Sequence, residues 1–258
     1  MRDSGLEQVI RTAGGVRPLS RLLGISQPAV SNWKRVPADR ILQVEAVTGV
    51  PRSMIRPDLY AAIPMEQELD PIEQARADEY ALLGLLLWRA PGEELLAGLS
   101  RIKGDASPLG MAHVRLGIAA AGATPEQIGN EFFRLFIGVG RGELLPYASY
   151  YLTGFLHERP LAKVREDLGA LGIERAERIS EPEDHIAMLC EVMSGIVSGQ
   201  FSHDAMDQRI FFDRHLKRWA SRFFADLETV SSTEFYRAIG ALGRVFIEIE
   251  TEALTLPG

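Results

Sequence analysis

Helix-start signals followed by apolar residues at helical spacing recur along this chain of 258 residues, and strand-type alternation is nearly absent. In Thr124-Pro125-Glu-Gln127 the threonine supplies an N-cap hydroxyl, the proline sits where its missing N–H costs little, and the glutamine completes a capping box. A helix through Phe136 follows, burying Ile128, Phe132, Leu135 and Phe136. Ser231-Ser-Thr-Glu234 reads as a second capping box, after which Phe235, Ile239, Leu242 and Phe246 share one face. Further helices are predicted over about 72–89, 92–102, 107–121, 160–171, 183–198 and 204–227, with gaps marked by glycine and proline. The fold class is therefore all-α, a helical bundle.

With 46% hydrophobic and 24% charged residues the chain can bury one sizeable core and still hold a small second domain. Pro57, Pro64 and Pro71 cannot lie within one continuous helix, and they bracket the polar stretch Met65-Glu-Gln-Glu-Leu-Asp70. The expected organisation is a head over 1–60, a linker over 61–71 and a helical body over 72–258. The most apolar run, Ala81-Leu-Leu-Gly-Leu-Leu-Leu-Trp88, falls well short of the roughly 20 residues of a membrane span and reads as a buried helix. The N-terminus has no apolar stretch of the secretory kind, and the lone Cys190 lies among apolar neighbours. Both point to a cytoplasmic protein with no membrane partner.

Charge is unevenly placed beneath the overall value of −7. Residues 1–60 hold 9 basic against 5 acidic residues, a net of +4, and the remainder holds 19 against 30, a net of −11. A basic head suits a polyanion and an acidic body suits a cationic peptide or protein surface.

In the head, a short helix carrying Leu19, Leu22 and Leu23 is expected to end at Gly24. Ser26 then caps a second helix with Pro28 near its start, while Ala29 and Val30 allow a close helix crossing. This is helix-turn-helix spacing. Gln27, Ser31 and Asn32 are the base-edge candidates and Lys34, Arg35 and Arg40 the phosphate-contact candidates; Trp33 reads as a packing residue rather than a stacking platform. A single head per chain implies that specific DNA binding needs a homodimer, since sites are usually read as paired halves.

The head resembles the YdaS-like branch of Cro/CI-type helix-turn-helix proteins, prophage-type DNA-binding regulators. The resemblance rests on Ala13-Gly-Gly15, Leu22-Leu-Gly-Ile-Ser-Gln27, Ala29-Val-Ser-Asn-Trp-Lys34, Val36-Pro-Ala-Asp-Arg40, Thr48-Gly-Val50 and Arg56-Pro-Asp-Leu-Tyr60. It implies double-stranded DNA as a partner, the alternative being a head kept as a protein-interaction module or as a vestigial fold.

Three stretches of the body stand out. Gly138, Gly140 and Gly142 follow a helix, without the preceding strand or Gly-Lys-Ser/Thr ending of a phosphate loop, and read as a plain turn. Glu181-Pro-Glu-Asp-His185 opens an apolar helix; no second histidine or cysteine stands at ligand spacing, so no metal is assigned. Its alternatives are simple helix capping and a binding rim in which carboxylates meet arginines and His185 donates a hydrogen bond. In Gln208-Arg-Ile-Phe-Phe-Asp-Arg-His-Leu-Lys-Arg-Trp219, His215 and Trp219 recur on an apolar helical face. No nucleophile–base pair and no carboxylate dyad can be assigned, so the chain reads as no enzyme, with no catalytic residue and no cofactor of its own.

Together these stretches resemble the TorD/DmsD/NarJ family of chaperones for molybdenum-cofactor enzymes over about 72–254: Phe-x-x-Leu-Phe-x-Gly-x-Gly, Pro-Tyr-x-Ser-x-Tyr, Glu-Pro-x-Asp-His and His-Leu-x-x-Trp, in that order. Leu145-Pro146-Tyr147-Ala148 departs from the family, which often has a second proline and an acidic residue there. The resemblance implies an all-helical chaperone that binds the apoprotein and twin-arginine leader of a DMSO-reductase or formate-dehydrogenase type enzyme. It marks Tyr147, Ser149, Glu181, Pro182, Asp184, His185, His215 and Trp219 as groove or hinge candidates. The other reading of the body is a ligand or protein sensor within a transcriptional regulator.

Overall fold

The structure, a computed structural model, describes residues 3–57, 69–174, 181–201, 206–230 and 233–255. The chain divides into two compact units, Met1–Leu69 and Asp70–Gly258. The described residues form helices and no strand, as an all-α chain requires. The stretch 58–68, which holds most of the expected linker, lies outside them.

The first unit contains α1 (Ser4–Thr12), α2 (Val16–Leu22), α3 (Gln27–Ser31), a 3-10 turn (Ala38–Arg40), α4 (Ile41–Thr48) and α5 (Arg52–Ile55). Leu6, Val9, Leu19, Leu23, Val30, Val36, Ile41, Val44, Val50 and Ile55 form its core. Gly24, at φ 65°, turns the chain between α2 and α3, and the Ser26 hydroxyl accepts from the Ala29 N–H. Leu22 differs from expectation: it is 51% exposed, because only Leu19 and Leu23, four apart, face the core.

The second unit contains α6 (Pro71–Trp88), α7 (Glu93–Leu99), α8 (Pro108–Ala121), α9 (Pro125–Phe132), α10 (Ala148–Thr153), α11 (Arg159–Ala170), α12 (Ile186–Val197), α13 (Gln208–His215), α14 (Ala220–Val230) and α15 (Glu234–Ala253). Its main contacts are α6 on α12, α14 on α15 and α15 on α8. Aspartate, serine or threonine caps followed by proline open α6, α8 and α9, with the full capping box at Thr124 and Gln127. Cys190 is fully buried, and burial raises its thiol pKa.

Several predicted elements change shape. The helix from Pro125 to Phe136 passes into a π-helical turn, Phe133–Ile137, and Gly138 at φ 64° ends it. A Cβ at Gly138 would lie 2.1 Å from the Arg141 carbonyl oxygen, so the glycine turn serves backbone packing. The single helix expected over 204–227 breaks at 216–219, where the Trp219 indole N–H takes the His215 carbonyl at 2.6 Å. The second capping box is not the one that forms in the described residues: Thr233 is the N-cap of α15, and its N–H and hydroxyl both donate to Glu131; Ser231 and Ser232 lie outside the described residues. Leu85 and Trp88, in the run read as buried, are each 38% exposed at the outer side and end of α6.

Candidate functional site

In the head, Gln27 and Ser31 lie on α3, and Asn32 caps it; all three are exposed. α3 ends at Ser31, so Lys34 and Arg35 stand on the turn beyond it rather than on the helix. That turn is pinned from two sides, since the Asp3 N–H donates to the Lys34 carbonyl at 2.9 Å and the buried Arg56 donates to the Val36 carbonyl at 2.8 Å. Arg40 donates to Gln43 at 3.0 Å, and Gln43 in turn donates to the Leu23 carbonyl at 3.2 Å, tying the 3-10 turn to the end of α2. Trp33 packs half-buried on the head core. One turn of helix and a pinned loop thus present three polar and three basic side chains, a pattern suited to base edges and phosphates.

In the body, the site is built where residues 145–149 cross residues 181–186. The Ala148 N–H donates to the Asp184 carbonyl at 3.0 Å and the Ile186 N–H to the Pro146 carbonyl at 2.8 Å, pairing Tyr147 with His185 in an isolated antiparallel bridge. Two side-chain bonds reinforce it. The Tyr147 hydroxyl donates to Glu181 at 2.5 Å, and the buried Ser149 N–H donates to Asp184 at 2.7 Å. Burial together with Glu181 raises the Tyr147 hydroxyl pKa well above its usual value.

His185 is the N-cap of α12. Its Nδ1 accepts from the Ala187 N–H at 3.1 Å, which leaves the proton on Nε2, and burial lowers its pKa to about 4. The ring is therefore neutral. It meets Tyr147 edge-on at 5.1 Å and Trp88 edge-on at 5.8 Å. Trp88 was hidden from sequence reasoning by the apolar run that it ends.

Asp184 lacks a full set of hydrogen bonds among the described residues. Both it and Ser149 are 0% exposed, yet the second Asp184 carboxylate oxygen and the Ser149 hydroxyl have no hydrogen-bond partner among the described residues. The open acidic rim expected here is not what forms: Glu183 is buried and accepts from Arg165 at 2.9 Å, and α12 has no acidic residue in its first turn. Pro182 is half-buried beside them.

His215 and Trp219 belong to a different place. His215 is buried with its Nε2 at 2.7 Å from Asp167, which also takes Arg214 at 2.9 Å, and burial lowers the histidine's pKa against the pull of Asp167. Lys163, Glu166, Asp167, Asp213, Arg214 and Arg218 line the cleft outside it, about 450 Å³ in volume. Trp219 lies in the core and meets Tyr151 of α10 at 5.4 Å. Of the eight candidates, six converge at the crossing and these two pack behind it.

The fold and these sites define a protein with a helix-turn-helix head and an all-helical body that carries a crossing of polar and aromatic side chains. Comparison with known proteins places both parts. Residues 103–225 match the family model described as nitrate reductase delta subunit, and residues 6–64 match the one described as bacterial toxin YdaS. Chaperone protein TorD of Vibrio cholerae is 30% identical over 137 residues, 50% of this chain and 62% of that protein. Chaperone protein TorD of Aliivibrio fischeri is 28% identical over 138 residues, 50% of this chain and 64% of that one. The match thus spans under two thirds of either relative's length. A solved structure from Archaeoglobus fulgidus assigned as a redox enzyme maturation protein aligns at a TM-score of 0.45 and 21% identity, over 67% of this chain and 93% of that one. The body is similar to the TorD/NarJ family of chaperones, and the head to the YdaS helix-turn-helix type.

Proposed function

We propose that the chain is a cytoplasmic maturation chaperone for a molybdenum-cofactor oxidoreductase of the DMSO-reductase or formate-dehydrogenase type. In this reading the body, 72–258, holds the apoprotein and its twin-arginine leader, and the head, 1–60, binds double-stranded DNA as a homodimer. The observation that carries the leader reading is Asp184, a fully buried carboxylate that takes a backbone N–H on one oxygen and, among the described residues, no hydrogen bond on the other, beside a Ser149 hydroxyl that has no partner among them either. A buried carboxylate without a cation is costly, and a guest that brings positive charge and several N–H donors relieves that cost. A guanidinium fits this description, with five donors in a plane. Tyr147, Ser149, Glu181, Pro182, Asp184 and His185 are then the contact residues, while His215 and Trp219 hold α10 and α11 in place behind them.

The test is calorimetric titration of the full chain with synthetic leaders from molybdenum enzymes of the same cell, beside arginine-to-alanine controls. Micromolar or tighter binding to one leader, lost in its control, is expected; if no leader binds, the leader reading is wrong. A second reading, favoured by the head's match to a helix-turn-helix family, is a transcriptional regulator whose body senses another ligand or protein. Co-purification separates the two, since a chaperone carries apo-oxidoreductase from its own cells and a pure regulator carries DNA.

A further inference from the structure

We propose that Arg56 is a positioning residue for DNA, holding the turn that carries Lys34 and Arg35 in its binding shape, on the reading that the head binds double-stranded DNA. Both side chains stand on an exposed turn after α3 has ended at Ser31, so no helix fixes them. The turn is held from outside, at two carbonyls. The Arg56 guanidinium donates to the Val36 carbonyl at 2.8 Å, and the Asp3 N–H donates to the Lys34 carbonyl at 2.9 Å. Both donors come from one closely packed pair of helices. Asp3 is the N-cap of α1, where its side chain also accepts from the Leu6 N–H, and Arg56 is the C-cap of α5. α1 and α5 meet backbone to backbone at Gly5, where a Cβ would lie 2.2 Å from the Ile55 carbonyl oxygen and 2.7 Å from that of Met54. Any larger residue at position 5 would part the two helices and carry the donors away from the turn.

Arg56 acts through the turn rather than on a phosphate. It is 8% exposed, between Ile55 and a Val36 that are both fully buried, whereas Lys34 and Arg35 are exposed. Burying a guanidinium costs more than burying a neutral donor, and what it supplies here is a charge-assisted bond, stronger than a neutral one, to a main-chain carbonyl. A turn already ordered in the free head presents its two cations without the ordering cost that a loose loop meets on binding. Lysine at position 56 would keep the charge but lose the planar fork whose geometry places that bond.

The test is binding of the full chain to a mixed-sequence DNA duplex over a range of salt, where the slope of log affinity against log salt counts phosphate contacts. Wild type is compared with Arg56→Met, with Arg56→Lys, and with Lys34→Ala/Arg35→Ala alone and combined with Arg56→Met. Arg56→Met is expected to weaken binding about tenfold and to make the slope shallower by about 2 per head, as loss of both cations does, and Arg56→Lys to weaken it about threefold. In the Lys34→Ala/Arg35→Ala background Arg56→Met is expected to change neither affinity nor slope, because its whole effect runs through those two side chains. A residue that merely keeps the head folded would weaken binding in both backgrounds. Further weakening in the doubly substituted background therefore overturns the proposal, as does a wild-type slope in Arg56→Met. Should the amide spectrum show Arg56→Met unfolded in the head, the same comparison with Arg56→Lys decides, and a wild-type slope and affinity there overturn the proposal. If wild type itself binds no duplex at low salt, the DNA reading falls and the positioning role with it, whereas wild-type binding that Arg56→Met leaves unchanged removes the positioning role alone.

Discussion

His185 and His113 titrate in opposite senses, and the pH dependence of the body follows from both. Burial lowers His185 to about 4, so the folded body prefers it neutral. Its contribution is complete above the unfolded value of 6.5 and is lost as pH falls from there through about 4, a loss on the order of 3 kcal/mol. His185→Gln keeps an acceptor for the Ala187 N–H without the titration, and the acid side of the urea midpoint against pH should flatten; an unchanged slope would show that another group governs it. His113 is raised above 6.5, first by its 2.7 Å bond to the buried Glu79 and also by Asp105. Its contribution is complete below 6.5 and fades as pH rises through the higher folded value, so the stability gap between wild type and His113→Gln should shrink above pH 6.5. At this scale the sequence marked much of the crossing, because Tyr147, Ser149 and the run from Glu181 to His185 carry motif order. It could not mark the buried state of Asp184 or the open state of Trp88. Those depend on which turn of a helix meets which loop, and an apolar run reads the same whether its last ring is covered or not.

At the scale of elements, α14 and α15 cross through glycine. A Cβ at Gly240 would lie 2.5 Å from the Glu228 backbone nitrogen and 2.8 Å from the Phe224 carbonyl oxygen, so the two helices would have to part. Gly240→Ala should cost ~1–3 kcal/mol despite a helix-propensity gain of ~1 kcal/mol, and it should lower the melting temperature of the body. Gly169 is the control. It is exposed near the end of α11, with nothing within 4 Å of an added Cβ, and Gly169→Ala should stabilise by ~0.5–1 kcal/mol. If both changes move the melting temperature the same way, close packing is not what keeps glycine at 240. Helices announced by caps were legible from sequence: Thr124 with Gln127, and the apolar face from Phe235 to Phe246, all lie as their spacing required. The break at 216–219 was not, since the apolar spacing runs through it and the cause is an indole N–H competing for a carbonyl. The short α10 escaped as well, having little more than Gly154 at φ 85° to mark its end.

At the scale of the molecule, a head of net charge +4 and a remainder, residues 61–258, of net charge −11 give the two proposed partners different responses to salt. If Lys34, Arg35 and Arg40 each neutralise a phosphate, a single head predicts a slope of log affinity against log salt of about −3, and a dimer on paired half-sites about −5. Lys34→Ala should reduce that slope by about 1 per head and weaken all sequences alike, whereas Asn32→Ala should relax preference at one base position. Coupling between the partners is a separate question with a strict test. If leader binding changes DNA affinity by some factor, DNA must change leader affinity by the same factor, because both close one thermodynamic cycle. Gel shifts with and without saturating leader, and calorimetry of leader with and without DNA, measure the two arms independently. Equal factors other than one mean that the chain reports unfilled apoenzyme to its DNA site. Factors of one on both arms mean that the head and the body are two functions that merely share a chain.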